Sequence, residues 1–206
     1  PNPDSEYVND TPLFGQALVI GRTIVHFMKK LFELEKQWTP FYFVEGEKKY
    51  RCTYKLNDKI TVNLTSTIDR IDRIVDNNEE RVRIVDYKTG SDNTDVKEFT
   101  NLFEKTGSDK RAKAVLQLFI YSNVYAMDNN YHGPLQPMLY CFRQFSINGI
   151  QPVKIAKKPL TDYRIYNEEF KKRLSAKLSD LFNPEVPFTP NPHSDTCKYC
   201  KFKLIC

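Results

Sequence analysis

The stretch that decides the fold is "IDRIDRIVDNNEERVRIVDYKTG", residues 68–90. Two runs rich in Ile and Val flank an Asp-Asn-Asn triplet, a pattern that predicts two antiparallel strands joined by a tight turn. Four charged residues stand within runs that otherwise indicate buried sheet: Asp69, Asp72, Asp86 and Lys88. Since strand side chains alternate between faces, Asp86 and Lys88 are predicted to share one face of the sheet.

Hydrophobic periodicity on either side of this stretch predicts a mixed α/β fold. Helices are expected where apolar residues recur at helical spacing, and strands where β-branched and aromatic residues alternate with polar ones. The predicted helices are residues 15–37, 110–127 (capped by Ser108 and Asp109) and 161–183 (opened by Thr161). The predicted strands are residues 39–56, 59–75 and 81–88, forming an antiparallel meander, then 134–147 and a short 153–158. This order indicates a central mixed β-sheet flanked by helices.

Length and composition favour one globular domain with a sizeable core. The chain has 206 residues, 28% of them charged, and a net charge of +5. This mild excess of positive charge suits a phosphate-bearing partner. We expect a linker or fragment end at residues 1–14, the main domain at 15–190 and a Cys-rich tail at 191–206. No run approaches the ~20 apolar residues of a membrane helix, so we expect no membrane partner, and the five cysteines point to a reducing, cytoplasmic setting.

The charged residues of the predicted hairpin suggest metal chemistry. Asp69 lies on the strand before Asp86, so cross-strand pairing would bring two carboxylates together. Such groups repel each other unless a cation or a proton joins them. Oxygen ligands suit Mg²⁺ or Mn²⁺ better than Zn²⁺, and an adjacent Lys88 could orient or stabilise an attacking water. The chemistry that this set supports is phosphodiester hydrolysis. The competing interpretation is a surface ion pair of little energetic value, the usual meaning of an Asp-x-Lys triplet by itself.

Three motifs taken together resemble a known family. "STIDRID", "RIVDYKTG" and "QLFIYS" resemble the RecB-like branch of the PD-(D/E)xK nuclease superfamily. The chain looks closest to the carboxy-terminal nuclease domain of AddB-like helicase-exonuclease subunits. The resemblance implies a restriction-endonuclease-like fold and Mg²⁺- or Mn²⁺-dependent cleavage of DNA. It also implies a role in recombinational repair beside a helicase subunit or helicase domain.

The resemblance also assigns roles to individual residues. Asp69 and Asp86 match the metal-binding carboxylates, and Lys88 matches the catalytic lysine. The backbone carbonyl of Tyr87 matches a further metal contact. The family's Q-x-x-x-Y pair, which directs an amide and a phenol towards the metal or the DNA, falls on Gln117 and Tyr121.

An additional acidic residue of the family is expected on the first strand. Glu47 stands where that residue belongs, and Glu45, which has the same strand parity, is the alternative. A solvated charged pair at a strand end is the competing interpretation for both. The family's histidine corresponds either to His26 or to a residue upstream of Pro1. Ser66 replaces the small Gly that usually precedes the first Asp.

The tail "CKYCKFKLIC" contains three cysteines in a C-x₂-C-x₅-C arrangement, which favours a metal or cluster site. Cys197, Cys200 and Cys206 resemble the three carboxy-terminal ligands of the family's [4Fe-4S] cluster, whose fourth Cys lies far upstream. Cys52 and Cys141 fit buried strands instead. We therefore expect the cluster to belong to a longer protein and to be incomplete in this chain.

Two further functions compete with a DNA nuclease. A catalytically silent nuclease fold could serve DNA binding or subunit docking, but loss of activity usually erases the Asp69, Asp86 and Lys88 set. A stand-alone cysteine-coordinated interaction module would leave the sheet motifs without explanation. Cleavage polarity and exonucleolytic action do not follow from the sequence.

Overall fold

The computed structural model describes residues 12–76, 78–90, 92–104, 112–187 and 200–202. Its strands are β1 (Phe41–Lys55), β2 (Thr61–Asp76), β3 (Glu79–Lys88), β4 (Asp95–Val96), β5 (Leu135–Cys141), β6 (Lys154–Ile155) and β7 (Lys158–Pro159). Its α-helices are α1 (Gly15–Glu35), α2 (Lys113–Asp128), α3 (Phe145–Asn148) and α4 (Asn167–Leu181). The predicted fold class is confirmed: a central mixed sheet is flanked by helices, consistent with a restriction-endonuclease-like fold.

The central sheet has the strand order β1-β2-β3-β5. Strands β2 and β3 are antiparallel, and Asp76 pairs with Glu79, so the turn lies where the Asp-Asn-Asn triplet predicted it. Asn78 there has a φ of +63°, a left-handed conformation that Asn tolerates better than most residues. Strand β5 runs parallel to β3. A parallel neighbour requires a crossover connection, and α2 lies in the chain between these two strands.

The two faces of β3 contact different helices. On one face, Val85 belongs to a buried cluster with Leu31 of α1 and with Met138 and Tyr140 of β5. On the other face, Lys88 reaches Gln117 of α2. Burying each large apolar side chain of this kind contributes roughly 1.5–3 kcal/mol. This packing fixes β3 between the two helices.

Two boundary predictions are wrong. The strand predicted over residues 134–147 ends at Cys141, after which the chain forms a 3-10 turn and then α3. The rings of Phe142 and Phe145, three residues apart, both pack back towards the sheet, against Tyr87 and Tyr140 respectively, with centroids 5.8 and 6.1 Å apart. An apolar spacing of three suits a helical turn better than a strand.

The helix predicted to open at Thr161 begins later, at Asn167, after a 3-10 turn over Tyr163–Tyr166. The carboxylate of Asp162 accepts a hydrogen bond from the backbone N–H of Arg164 at 3.0 Å and thereby caps the short turn. The predicted cap of α2 at Ser108 and Asp109 lies outside the described residues, and α2 itself begins at Lys113.

The chain forms two compact units. The first comprises residues up to Cys52 together with Asn63–Ile165, and it contains α1, α2 and most of the central sheet. The second comprises Thr53–Val62 and the residues from Tyr166 onwards. Within the second unit, the Tyr54 hydroxyl lies 2.8 Å from the Ser175 hydroxyl of α4, which links the end of β1 to that helix.

Candidate active site

Three predicted site residues share one face of the first unit's sheet. The β2–β3 register pairs Arg70 with Val85, and its continuation by one residue sets Asp69 opposite Asp86. Lys88 follows two residues later on the same face, and its Nζ lies 2.8 Å from Oδ2 of Asp86. The alternation of strand side chains therefore produces the side-by-side carboxylate and ammonium that the sequence predicted.

Asp69 is oriented by the backbone of the neighbouring strand. The N–H of Tyr87 donates a hydrogen bond to Oδ2 of Asp69 over 2.8 Å. A backbone donor of this kind holds a carboxylate at a fixed angle. The residue between Asp86 and Lys88 thus also sets the position of the second carboxylate.

Asp86 is an unusually buried carboxyl group, only 2% exposed. Burial raises its pKa above the ordinary value, the Lys88 ammonium opposes this rise, and the negative charge of Asp69 adds to it. Burial would lower the pKa of Lys88, but the Asp86 carboxylate raises it, and the net shift is upward. Lys88 is therefore an ammonium at neutral pH, and when both carboxyl groups are ionised they carry one negative charge more than the lysine can balance.

Helix α2 supplies a polar chain that begins at this lysine. Lys88 Nζ donates to Oε1 of Gln117 over 2.9 Å, and the Gln117 amide in turn donates to the Tyr121 hydroxyl. A spacing of four places Gln117 and Tyr121 on one face of the helix, as predicted. Burial raises the pKa of Tyr121, and the charges of Asp86 and Asp69 raise it further, so this phenol stays protonated at neutral pH.

The donor set fits a hard divalent cation. Oδ2 of Asp86 is buried and forms an ion pair with the Lys88 ammonium at 2.8 Å. Buried carboxylates are costly unless cations meet them, and here one lysine lies beside two carboxyl groups. Asp69 and Asp86 would hold the cation, since oxygen ligands are those that Mg²⁺ and Mn²⁺ prefer. In the described part of the chain, no group of three or more His, Cys, Asp and Glu side chains is arranged for metal binding.

The first-strand carboxylates do not complete such a group. Glu47 is exposed and has a φ of +51°, a left-handed backbone conformation that marks a local irregularity in β1. Glu45 is half-buried and accepts hydrogen bonds from Lys48 and from the Tyr50 hydroxyl, which lower its pKa. The two residues therefore differ in exposure, and Glu45 is held by Lys48 and Tyr50.

The sequence analysis missed a buried ionic network on the opposite face of the sheet. Asp72 and Arg83 are both fully buried and form a two-point ion pair, with Arg83 Nη2 2.8 Å from Oδ2 of Asp72. Arg70 joins this pair through its Nε, 2.7 Å from Asp72, and also reaches Glu35 of α1 at 2.9 Å. The sequence did contain a sign of this network: Arg70 and Asp72 are two residues apart on one strand, so their opposite charges share a face.

The predicted tail cysteines fall largely outside the described residues. This holds for Cys197 and Cys206, while Cys200 is a half-buried free thiol. Cys52 and Cys141 are both buried free thiols, and burial raises the pKa of each. Their environment is that of core residues, as the sequence indicated.

One comparison with known proteins bears on this geometry. The sequence pattern that defines the PD-(D/E)XK nuclease superfamily matches residues 13–206, which is nearly the whole chain. The described helices include none that combines the length and the apolar character needed to cross a bilayer.

Proposed function

The chain belongs to the PD-(D/E)XK nuclease superfamily, and from this premise we propose that it is a Mg²⁺- or Mn²⁺-dependent deoxyribonuclease. The observation that carries the proposal is the pairing of the buried Asp86 with the half-buried Asp69 beside a single lysine. Two carboxylates and one ammonium leave an unbalanced negative charge in a partly dry site, and a divalent cation would neutralise it.

The remaining residues have roles that follow from their contacts. Lys88 stands beside the reacting centre as a fixed positive charge, suited to orient an attacking water or to stabilise charge that develops on the phosphate. Gln117 holds the lysine ammonium, and Tyr121 holds Gln117. A bound Mg²⁺ or Mn²⁺ would supply Lewis-acid polarisation of the phosphate and a lowered pKa of a bound water. Asp69, Asp86 and the Tyr87 carbonyl are the proposed ligands, with Glu47 as a proposed catalytic residue.

The direct test compares two Asp→Asn variants of β2 and β3 in a cleavage assay on linear DNA with and without Mg²⁺ or Mn²⁺. Asp86→Asn should lower the rate by at least about 10²-fold, the scale of losing one transition-state-stabilising group. Asp76→Asn is the matched control, because Asp76 is half-exposed beside the β2–β3 turn and its charge pairs with Arg81. Activity that persists in Asp86→Asn, or that needs no divalent cation, would reject the proposal. No cleavage by the wild type under any metal would favour the catalytically silent alternative.

DNA is the proposed substrate, and its phosphates predict salt-dependent binding. Each neutralised phosphate releases counterions, so the logarithm of the binding constant should fall linearly with the logarithm of salt concentration, by about 0.9 per contact on duplex DNA. The net charge of +5 supports this expectation. Fluorescence anisotropy of labelled DNA at several salt concentrations measures the slope, and a flat dependence would contradict a phosphate-based interface.

The finer assignments are also proposals. We propose exonucleolytic action within a RecB- or AddB-like helicase-nuclease used in recombinational repair. The motif triplet and the match over residues 13–206 support the nuclease part of this proposal. Degradation of linear but not circular duplex DNA would support exonuclease action, while nicking of circular DNA would contradict it.

A [4Fe-4S] cluster at Cys197, Cys200 and Cys206 is proposed only for the longer protein. Three thiolates from one tail leave the fourth coordination position of such a cluster to another residue. Iron analysis and visible absorption of anaerobically purified 206-residue protein should show less than a full four-iron complement. A full complement would mean that a further residue of this chain, such as Cys52 or Cys141, completes the cluster.

A further inference from the structure

Arg70 connects the two faces of the sheet at the level of the candidate active site. It follows Asp69 directly in the chain, and its own side chain points to the opposite face, towards α1. There its Nη1 donates to the Tyr87 hydroxyl over 3.0 Å, while its other nitrogens bind Asp72 and Glu35. Three hydrogen bonds to partners on three elements leave this guanidinium little freedom to move.

Tyr87 links the Arg70 side chain to Asp69 on the face that bears the candidate active site. Its ring lies between Phe142, with centroids 5.8 Å apart, and Tyr140, with centroids 5.6 Å apart. Its backbone N–H donates to Oδ2 of Asp69 at 2.8 Å. A shift of the Tyr87 side chain therefore shifts the donor that orients Asp69, as well as the strand segment that bears Asp86 and Lys88.

We propose that the Arg70–Tyr87 hydrogen bond is a positioning contact for the metal-binding carboxylates, acting through the sheet from the opposite face. This inference rests on the proposed function, because it takes Asp69 and Asp86 as the ligands of the divalent cation. Arg70 and Tyr87 touch neither substrate nor cation through their side chains. They hold Asp69 in the orientation in which it and Asp86 share one ion.

The test uses Tyr87→Phe, which removes the phenol oxygen but keeps the ring packing and the backbone donor. Mn²⁺ binding to the protein without DNA is measured by calorimetry or by the loss of the free-ion electron paramagnetic resonance signal. The dissociation constant for Mn²⁺ should rise about tenfold. This is the lower end of the loss in metal affinity when a residue that positions a metal ligand is changed. The Mn²⁺ concentration that gives half-maximal cleavage should rise by a similar factor, because the variant acts on the orientation of a ligand.

Tyr140→Phe is the matched control. Tyr140 lies directly opposite Tyr87 on β5, belongs to the same aromatic cluster, and its hydroxyl interacts with Glu35, outside the Arg70–Tyr87 hydrogen bond. Its Mn²⁺ affinity should equal that of the wild type. A second variant, Arg70→Lys, keeps the charge but loses the planar fork, and it should weaken Mn²⁺ binding at least as much as Tyr87→Phe.

The outcomes separate this inference from the proposed function. If wild type binds Mn²⁺ and Asp86→Asn abolishes that binding, the proposed ligands stand. An unchanged Mn²⁺ affinity in Tyr87→Phe would then overturn the positioning role. Equal losses in Tyr87→Phe and Tyr140→Phe would also overturn it, since they would reflect general loosening of the aromatic cluster. If Asp86→Asn binds Mn²⁺ as well as wild type does, the proposed function fails instead.

Discussion

Beside α1, the sheet buries two arginines against two carboxylates, whereas beside α2 it holds two carboxylates against one lysine. The α1 side is neutral as a set: Arg70 and Arg83 balance Glu35 and Asp72 through short contacts. The α2 side is one positive charge short. The same sheet therefore carries two ionic networks. The one beside α1 is balanced in charge and is called closed here, and the one beside α2 lacks one positive charge and is called open.

The difference has a physical reason. A buried ion pair stabilises a fold little by itself, but removal of one partner is strongly destabilising because the other charge remains buried. The charges of the network beside α1 are balanced by the protein's own residues, so this network can serve as a rigid support. The site beside α2 has one positive group for two carboxyl groups, so it can bind a cation from solution. Because successive side chains of a strand point to opposite faces, the supporting ion pairs and the proposed catalytic residues lie on opposite faces of the same strands.

Breaking the closed network should give the largest effect. Asp72→Asn keeps the shape of the side chain but leaves Arg83 and Arg70 one negative charge short, and we expect a loss of about 3–5 kcal/mol in the free energy of unfolding. Urea denaturation followed by circular dichroism measures it. A loss below about 1 kcal/mol would show that water or a rearrangement compensates the arginines.

A divalent cation should stabilise the open face. At a concentration 100 times its dissociation constant, a cation that binds only the folded state adds about 2.7 kcal/mol. Thermal unfolding with and without Mn²⁺ should show this gain in the wild type and in Asp76→Asn. The gain should largely vanish in Asp69→Asn and Asp86→Asn. An equal gain in all four proteins would place the cation elsewhere.

Without metal, Asp86→Asn should change stability by less than about 1 kcal/mol, in contrast to Asp72→Asn. Because the folded-state pKa of Asp86 is raised, its ionised form opposes folding at neutral pH. This cost grows as pH rises from the ordinary value of 3.8 towards the folded pKa, and it is absent below that window. The wild type should therefore gain stability relative to Asp86→Asn on acidification. A relative loss on acidification would reverse the assigned direction of the shift.

The smallest effect is expected on the first strand. Glu47→Gln should lower the cleavage rate by less than about tenfold, because the Glu47 side chain is exposed to solvent. Glu45→Gln should instead cost about 1 kcal/mol of stability through the weakened hydrogen bond from Tyr50. A loss of activity in Glu47→Gln as large as that in Asp86→Asn would show that Glu47 joins the site when substrate binds.

Local patterns predicted most of the strands and the placement of Asp86 and Lys88, because a period of two fixes which side chains share a face. The same rule did not predict that Glu45 is half-buried and Glu47 exposed, or that Glu47 has a left-handed backbone conformation. The end of β5 was missed because Phe142 and Phe145 pack against tyrosines that are distant in the sequence.

The sequence by itself determined the β2–β3 hairpin, its turn and the face on which Asp86 and Lys88 lie, since these depend on neighbouring residues only. The motifs also indicated the superfamily that the match over residues 13–206 shows. Only the tertiary structure decided how buried charges are balanced. Arg83 pairs with Asp72 because β2 and β3 are neighbours in the sheet, and Arg70 pairs with Glu35 because α1 packs on that face. Such compensation depends on distances between separate elements, which residue order does not specify.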